Sequence, residues 1–324
     1  MKLTLPGLFD LHVNGFAGID YNLPDIGGEQ LIQSFDAMRA TGVTQCLPTI
    51  ITSSREHFAA CARNLVRSSD PMIAGLHMEG PYISPSDGPR GAHPLVSVTA
   101  ASIEDFKHRQ DAAEGKIKLV TLAPEVPGAM DLIGYLVENN VVVGIGHSAA
   151  NAACIRDAVT AGATLSTHLG NGCSTQMERH ANVIWPQLSH DELAACLIVD
   201  GFHLPREVVR TMVKAKGLER TILVTDAVAA AAAPPGEYSI GHVPVQLNAA
   251  RKVTQIGATN LAGSALTLDD AVTRTCAWCD LSLQVVWPLA SLRPAAAIGL
   301  EPTGTVTIEW DASTYALTIC QTET

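Results

Sequence analysis

No stretch of the 324-residue sequence comes near the ~20 consecutive apolar residues that a membrane helix needs; the longest candidates, 141–145 and 229–233, are far shorter. Charge is scarce as well: 16% of residues are Asp, Glu, Lys or Arg, against about 25% in an average soluble domain. What charge there is leans negative, with 21 basic and 32 acidic residues and a formal net charge of -11. With no Lys/Arg cluster, a nucleic-acid groove or an anionic membrane surface is excluded as partner. The first residues run into Asp10 and His12 before a secretory apolar core can develop. Closely spaced cysteines are nearly missing too. Of eight, only Cys276 and Cys279 are near each other, and no second pair or flanking histidine completes a zinc site there. The expectation is two half-buried thiols on a helix of a reduced, cytoplasmic enzyme.

What the sequence has is apolar mass. Hydrophobic residues make up 47% of a chain long enough for two ordinary domains, or for one large α/β domain with an appendage. Continuous apolar runs at 8–13, 44–50, 72–78, 117–123, 141–146, 164–167, 194–199 and 221–225 read as parallel strands covered on both faces. Helical periodicity fills the gaps at 30–41, 55–68, 102–114, 129–139, 151–161 and 206–216, with Ser53 and Glu56 as a capping box for the second. Eight strands separated mainly by helices predict an α/β fold, a (β/α)8 TIM-like barrel. The rest breaks this rhythm. Pro234-Pro235-Gly236 interrupts, 238–247 alternates like a strand with one exposed face, helices are expected at 266–279 and 282–298, and short β runs at 305–310 and 315–320 close the chain. The predicted division is a barrel of residues 6–235 and 258–300 and a small, reduced β subdomain of 1–5, 236–257 and 301–324.

Barrel enzymes draw their chemistry from the C-terminal strand ends. Those ends collect His12, Glu79, His147, His168 and Asp226. Each alone is ordinary, since a single histidine is more often structural and a lone Asp after a strand is a helix cap. Five such groups on one rim would be costly without a cation to pair them. One carboxylate with two imidazoles is a catalytic zinc-type set whose open position takes water, lowering its pKa toward ~7. Asp226 is the carboxylate best placed to take and return a proton. His77, two residues before Glu79, faces the same side of its strand, as a core residue or a neighbour of the site. Cys173 lacks a partner for nucleophilic chemistry, and no lysine falls on a strand end, so a Schiff-base aldolase is disfavoured.

The segments 6–15 (PGLFDLHVNG), 75–82 (GLHMEGPY), 91–94 (GAHP), 123–125 (APE), 146–148 (GHS), 167–171 (THLGN), 200–203 (DGFH), 224–227 (VTDA) and 261–266 (LAGSAL), in this order, resemble the N-acetylglucosamine-6-phosphate deacetylases of the amidohydrolase superfamily. The resemblance implies Glu79, His147 and His168 as ligands of one divalent metal per subunit, zinc first, with iron, manganese or cobalt as alternatives. His12 sits where some members hold a second metal, but Asn14 in place of a second histidine favours one. Asp226 is implied as general base and acid, and His93 as the donor that steadies the substrate carbonyl. Ala92, Asn171, Gly172, Arg179, Asp200, His203 and the Leu261-Ala262-Gly263 turn fall where an N-acyl amino sugar phosphate is contacted. A homodimer is implied, with one subunit completing the other's pocket. Two departures stand out: only Met1–Leu5 precede the first barrel strand, and the turn after His168 reads Gly170-Asn171-Gly172-Cys173-Ser174, with Arg179 further on as the candidate phosphate contact. The acyl-cleaving chemistry is thus better supported than the phosphate, and a non-phosphorylated N-acyl substrate, or an inactive relative used for binding, is the alternative.

Overall fold

A computed structural model describes residues 1–324. Strand β1 (Lys2–Pro6) leads into β2 (Leu8–Val13), whose six residues are all buried. A two-residue hairpin, β3 (Gly15–Phe16) and β4 (Ile19–Asp20), follows. Then come β5 (Val43–Ile51), β6 (Leu76–Glu79), β7 (Ile117–Leu122), β8 (Val142–Ile145), β9 (Leu165–Ser166), β10 (Ala194–Leu197) and β11 (Thr221–Leu223). With β2 they make one parallel eight-stranded sheet in sequence order. Between the strands run α1 (Gly28–Arg39), α2 (Arg55–Val66), α3 (Ile103–Ala112), α4 (Ala129–Glu138), α5 (Ala152–Ala161), α6 (Ile184–Ser189) and α7 (Arg206–Lys216). This is the expected barrel, and its strands read as unbroken apolar runs because helices cover the outer face while side chains fill the inside.

No ladder joins β2 to β11. A single bridge, Val13 to Ala227, and the bond from Asn14 N to Ala227 O (2.7 Å) carry the seam at its upper end. Lower down the Asp10 carboxylate stands in for the missing ladder, accepting from His12 N, Thr225 N and Thr225 Oγ1. Burial nonetheless pushes the Asp10 carboxyl up to about 6 against these stabilising bonds.

Several expectations are corrected. In the 72–78 run only Leu76–Glu79 forms a ladder, and Ile73 makes a lone bridge to Cys46. The cap of α2 is Ser54, which accepts from His57 N, not Ser53. The alternating 238–247 stretch is two strands, β12 (Gly236–Ile240) and β13 (Val243–Leu247), folded back at Gly241-His242; Gly241 has φ +58°, a conformation a two-residue turn demands. After β14 (Val253–Gln255) comes α8 (Leu268–Cys279), which carries Cys276 and Cys279 as expected. The helix predicted over 282–298 is broken into α9 (Leu283–Val286), a 3-10 turn at Trp287–Ala290 and α10 (Leu292–Ala297), because Pro288 and Pro294 withhold the amides a continuous helix needs. Strand β15 (Thr305–Asp311) pairs on one side with β1 and on the other with β16 (Ala316–Glu323), while β12, β13 and β14 make a second antiparallel sheet. The segments outside the barrel thus build two separate three-stranded sheets. No helix is long and apolar enough to cross a membrane.

Candidate metal centre

Glu79 ends β6, and His147 and His168 follow β8 and β9 by two residues. Their side chains meet. Glu79 Oε1 lies 3.1 Å from His147 Nε2 and 3.0 Å from His168 Nε2, and the two Nε2 atoms are 3.1 Å apart. Ligands of a tetrahedral zinc stand about 3.3 Å from one another, so this triangle has the size of one face of such a site. The backbone is bent to achieve it: His147, His168 and Asp226 have φ of +51°, +33° and +50°. Non-glycine residues adopt that left-handed region at a cost, and three at one rim mark a functional constraint. His147 Nδ1 is held by Pro89 O at 2.9 Å, which turns Nε2 inward. Gly172 makes room for that ring, since a Cβ there would sit 2.9 Å from Nδ1.

Two further groups face the triangle. His12 Nε2 is 3.3 Å from Glu79 Oε2 and 3.1 Å from Asp226 Oδ1, yet it has no well-aligned hydrogen bond although it is buried. His93 Nε2 is 3.6 Å from Glu79 Oε2, and its Nδ1 is fixed by Thr52 Oγ1 at 2.8 Å. Asn14 Nδ2 donates to Asp226 Oδ1 at 2.7 Å, leaving Oδ2 available to a reacting proton. Burial pushes the Glu79 carboxyl up, but the charges of His12 and His147 outweigh it and hold it well below the usual carboxylate range. In return Glu79 and Asp226 lift His12 against its burial to about 9, and Glu79 raises His147. Burial wins at His168 and His93, which stay low. Without a cation the charge of Glu79 is therefore offset chiefly by the proton that His12 retains. The donor set, one carboxylate and inward-turned imidazole nitrogens with a buried orphan beside them, fits a divalent metal.

Over 96% of its length the chain is 34% identical to the N-acetylglucosamine-6-phosphate deacetylase of Lysinibacillus sphaericus, covering 80% of that protein. It is 30% identical over 93% of its length to an N-acetylgalactosamine-6-phosphate deacetylase of Escherichia coli O157:H7, covering 79% of it. A solved mutant N-acetyl-D-glucosamine-6-phosphate deacetylase of Mycobacterium smegmatis, in complex with N-acetyl-D-glucosamine-6-phosphate, superposes with a TM-score of 0.90 at 27% identity, over 99% of this chain and 86% of that one. No family model matches. The chain belongs to the N-acetylglucosamine-6-phosphate deacetylase family.

As a member of the N-acetylglucosamine-6-phosphate deacetylase family it is a hydrolase. The remaining expected residues connect to the cluster to different extents. Ala92 adjoins His93. Asn171 and Gly172 form the turn after His168, with Asn171 Nδ2 donating to His168 O and Gly172 O accepting from Ser148 N. Leu261, Ala262 and Gly263 lead into Ser264, which bonds to Asp226 O and Thr225 O and so lies against the Asp226 segment. Asp200 spends its carboxylate inside its own loop, accepting from Phe202 N, His203 N and His203 Nδ1 (2.8, 2.8 and 2.7 Å). It thereby orients His203. Arg179 is exposed, and no hydrogen bond or ion pair of its side chain joins it to the cluster; with Trp185 and Glu207 it lines a groove of about 530 Å³ between the 175–188 segment and α7. Sequence reasoning passed over Thr52 and Asn14 as orienting partners, and also Glu125, which accepts from Ser148 Oγ and Ala149 N and clamps the loop behind His147.

Proposed function

We propose that the protein removes the acetyl group of an N-acetyl amino sugar 6-phosphate, N-acetylglucosamine 6-phosphate first, by metal-dependent amide hydrolysis. One observation carries the reading: the triangle of Glu79 Oε1, His147 Nε2 and His168 Nε2, with the Asp226 carboxylate reaching it through His12, which lies between Asp226 Oδ1 and Glu79 Oε2. These three residues would hold one divalent ion, zinc first, with iron, manganese or cobalt as alternatives; His12 is the added ligand if a second ion binds. Bound there, the metal supplies a Lewis acid that polarises the acyl carbonyl and makes water more acidic. The chain's own groups supply the rest. Asp226 takes the proton of the attacking water and delivers it to the departing amine nitrogen, so that amide and water become acetate and free amino sugar. His93, its Nδ1 held by Thr52, aims Nε2 at the carbonyl oxygen as charge gathers on it. His203, oriented by Asp200, together with Ala92, Asn171, Gly172 and the Leu261–Gly263 turn, contacts the sugar phosphate.

Phosphate recognition is proposed to be completed across a homodimer, with exposed Arg179 entering the partner's pocket. A cytoplasmic setting accords with eight free cysteines, four of them buried. The exposure of Arg179, away from the cluster in one subunit, favours a second reading in which the 6-phosphate is dispensable. Both are tested by one assay of acetate release from N-acetylglucosamine, N-acetylgalactosamine and their 6-phosphates, with the oligomeric state measured in parallel. Turnover of the phosphates alone supports the first reading. Equal turnover of the free sugars supports the second, and no release from any substrate by metal-loaded protein rejects both.

A further inference from the structure

Directly beneath the ligand cluster the barrel is filled by a line of polar side chains, where branched apolar residues are the rule. His77, 1% exposed on β6, has Nδ1 3.2 Å from Thr49 Oγ1 on β5 and Nε2 2.8 Å from Thr121 Oγ1 on β7. Thr121 Oγ1 in turn lies 2.7 Å from Thr167 Oγ1, just past β9. Between those two threonines β8 contributes only glycine. A Cβ on Gly144 would come within 2.4 Å of Thr167 Oγ1, and one on Gly146 within 2.6 Å of Thr121 Cγ2.

The protons of this line run in one direction. Thr49 Oγ1 has a terminal acceptor in Leu47 O at 3.2 Å, so it gives its proton there and accepts from His77 Nδ1–H. His77 Nε2 is then bare and accepts from Thr121, whose oxygen accepts from Thr167. The reverse order would leave the Thr167 hydroxyl proton without a partner. Every hydrogen is used with His77 neutral.

Each link also touches a strand end that carries a ligand. Thr49 Oγ1 accepts from Val13 N, the residue after His12, and the His77 ring meets the His12 ring edge to face with centroids 4.7 Å apart. His77 itself precedes Glu79 by two residues, and Thr121 O accepts from Gly80 N. Gly146 precedes His147, and Thr167 precedes His168 and bonds through N to Ile145 O. We propose that Thr49, His77, Thr121 and Thr167 form a hydrogen-bonded floor that sets the spacing of His12, Glu79, His147 and His168 and so fixes metal affinity, with His77 as its central positioning residue. The inference rests on the metal-dependent reading above.

The test is competition for Zn²⁺ between a chromophoric chelator and the stripped, full-length protein. Thr121→Val keeps the shape and removes the link; it should weaken zinc binding by about 10- to 100-fold, the range for losing a partner behind a metal ligand, while Thr121→Ser stays within about threefold of the parent. Thr275→Val is the control. Thr275 is fully buried on α8 with its hydroxyl on Ala271 O, remote from the floor, so this variant should lower thermal stability without changing affinity. A folded Thr121→Val protein that binds zinc within twofold of the parent overturns the floor. If that variant does not accumulate folded, Thr49→Val, at the end of the line that His77 donates to, carries the same expectation and the same refutation. A parent that binds no divalent ion overturns the metal reading, and the floor with it.

Discussion

Thr225 Oγ1 donates a 2.5 Å hydrogen bond to Asp10 Oδ2 across the seam where the first and last barrel strands meet without a ladder. One carboxylate and one hydroxyl thus do the work of several backbone pairs, at a level just below the ligand-bearing ends. The site and the closure of the barrel share their foundation, because Asp10 also accepts from His12 N.

The Asp10 carboxyl, buried and raised to about 6 from an ordinary 3.8, ties stability to pH. An acid with a raised folded pKa stabilises fully below its unfolded pKa, and that contribution is lost as pH rises through the folded value. Asp10→Asn cannot ionise. Relative to the parent, the variant should gain up to about 3 kcal/mol in unfolding free energy between pH 4 and pH 7. Denaturant titrations of both proteins across that range check it, and a constant difference refutes it.

Asp226→Asn retains the acceptor that Asn14 and His12 face but cannot carry a proton. The expected loss in kcat is on the order of 10³-fold with metal content unchanged. Metal analysis beside steady-state rates separates this from damage to the ligand set, and a variant with near-parental turnover removes Asp226 from its assigned role.

Metal uptake should release protons. His12, lifted to about 9, holds a proton at neutral pH in the metal-free cluster, and His147 is raised in the same direction by Glu79, so an incoming cation works against bound protons. Apparent affinity should therefore climb as pH rises from 6 toward 9 and level off above. Calorimetry in two buffers of different ionisation enthalpy counts the protons; affinity flat over that interval would contradict the assignment.

Gly172→Ala places a methyl 2.9 Å from His147 Nδ1 at a residue with φ +55°. The ring must shift or the loop must move. Metal affinity should fall at least about tenfold, as for other losses of ligand support, with little change in far-UV circular dichroism.

The barrel was legible in the sequence because its strands are covered on both faces and so print as apolar runs, and the ligands were legible because His and Glu at strand ends have few cheap explanations. The misses have physical causes. At 238–247 the alternation continues straight through Gly241-His242, so two strands read as one. At 282–298 the apolar pattern outlasts the hydrogen bonding that Pro288 and Pro294 interrupt. Helix α6, with Pro186 inside it, gave no periodic signal over six residues. Thr52, Thr121 and Thr167 act by direction and distance to a histidine, which a residue letter does not carry. Thr167, directly before His168, was the one hint.

The reversed twist of the chain at His147, His168 and Asp226 has a consequence for how the protein matures. Short peptides cut from those loops would relax to the common hand and scatter their imidazoles. The geometry that an ion would meet therefore belongs to the closed cylinder and not to any loop by itself, which ties capture of the ion to completion of the barrel.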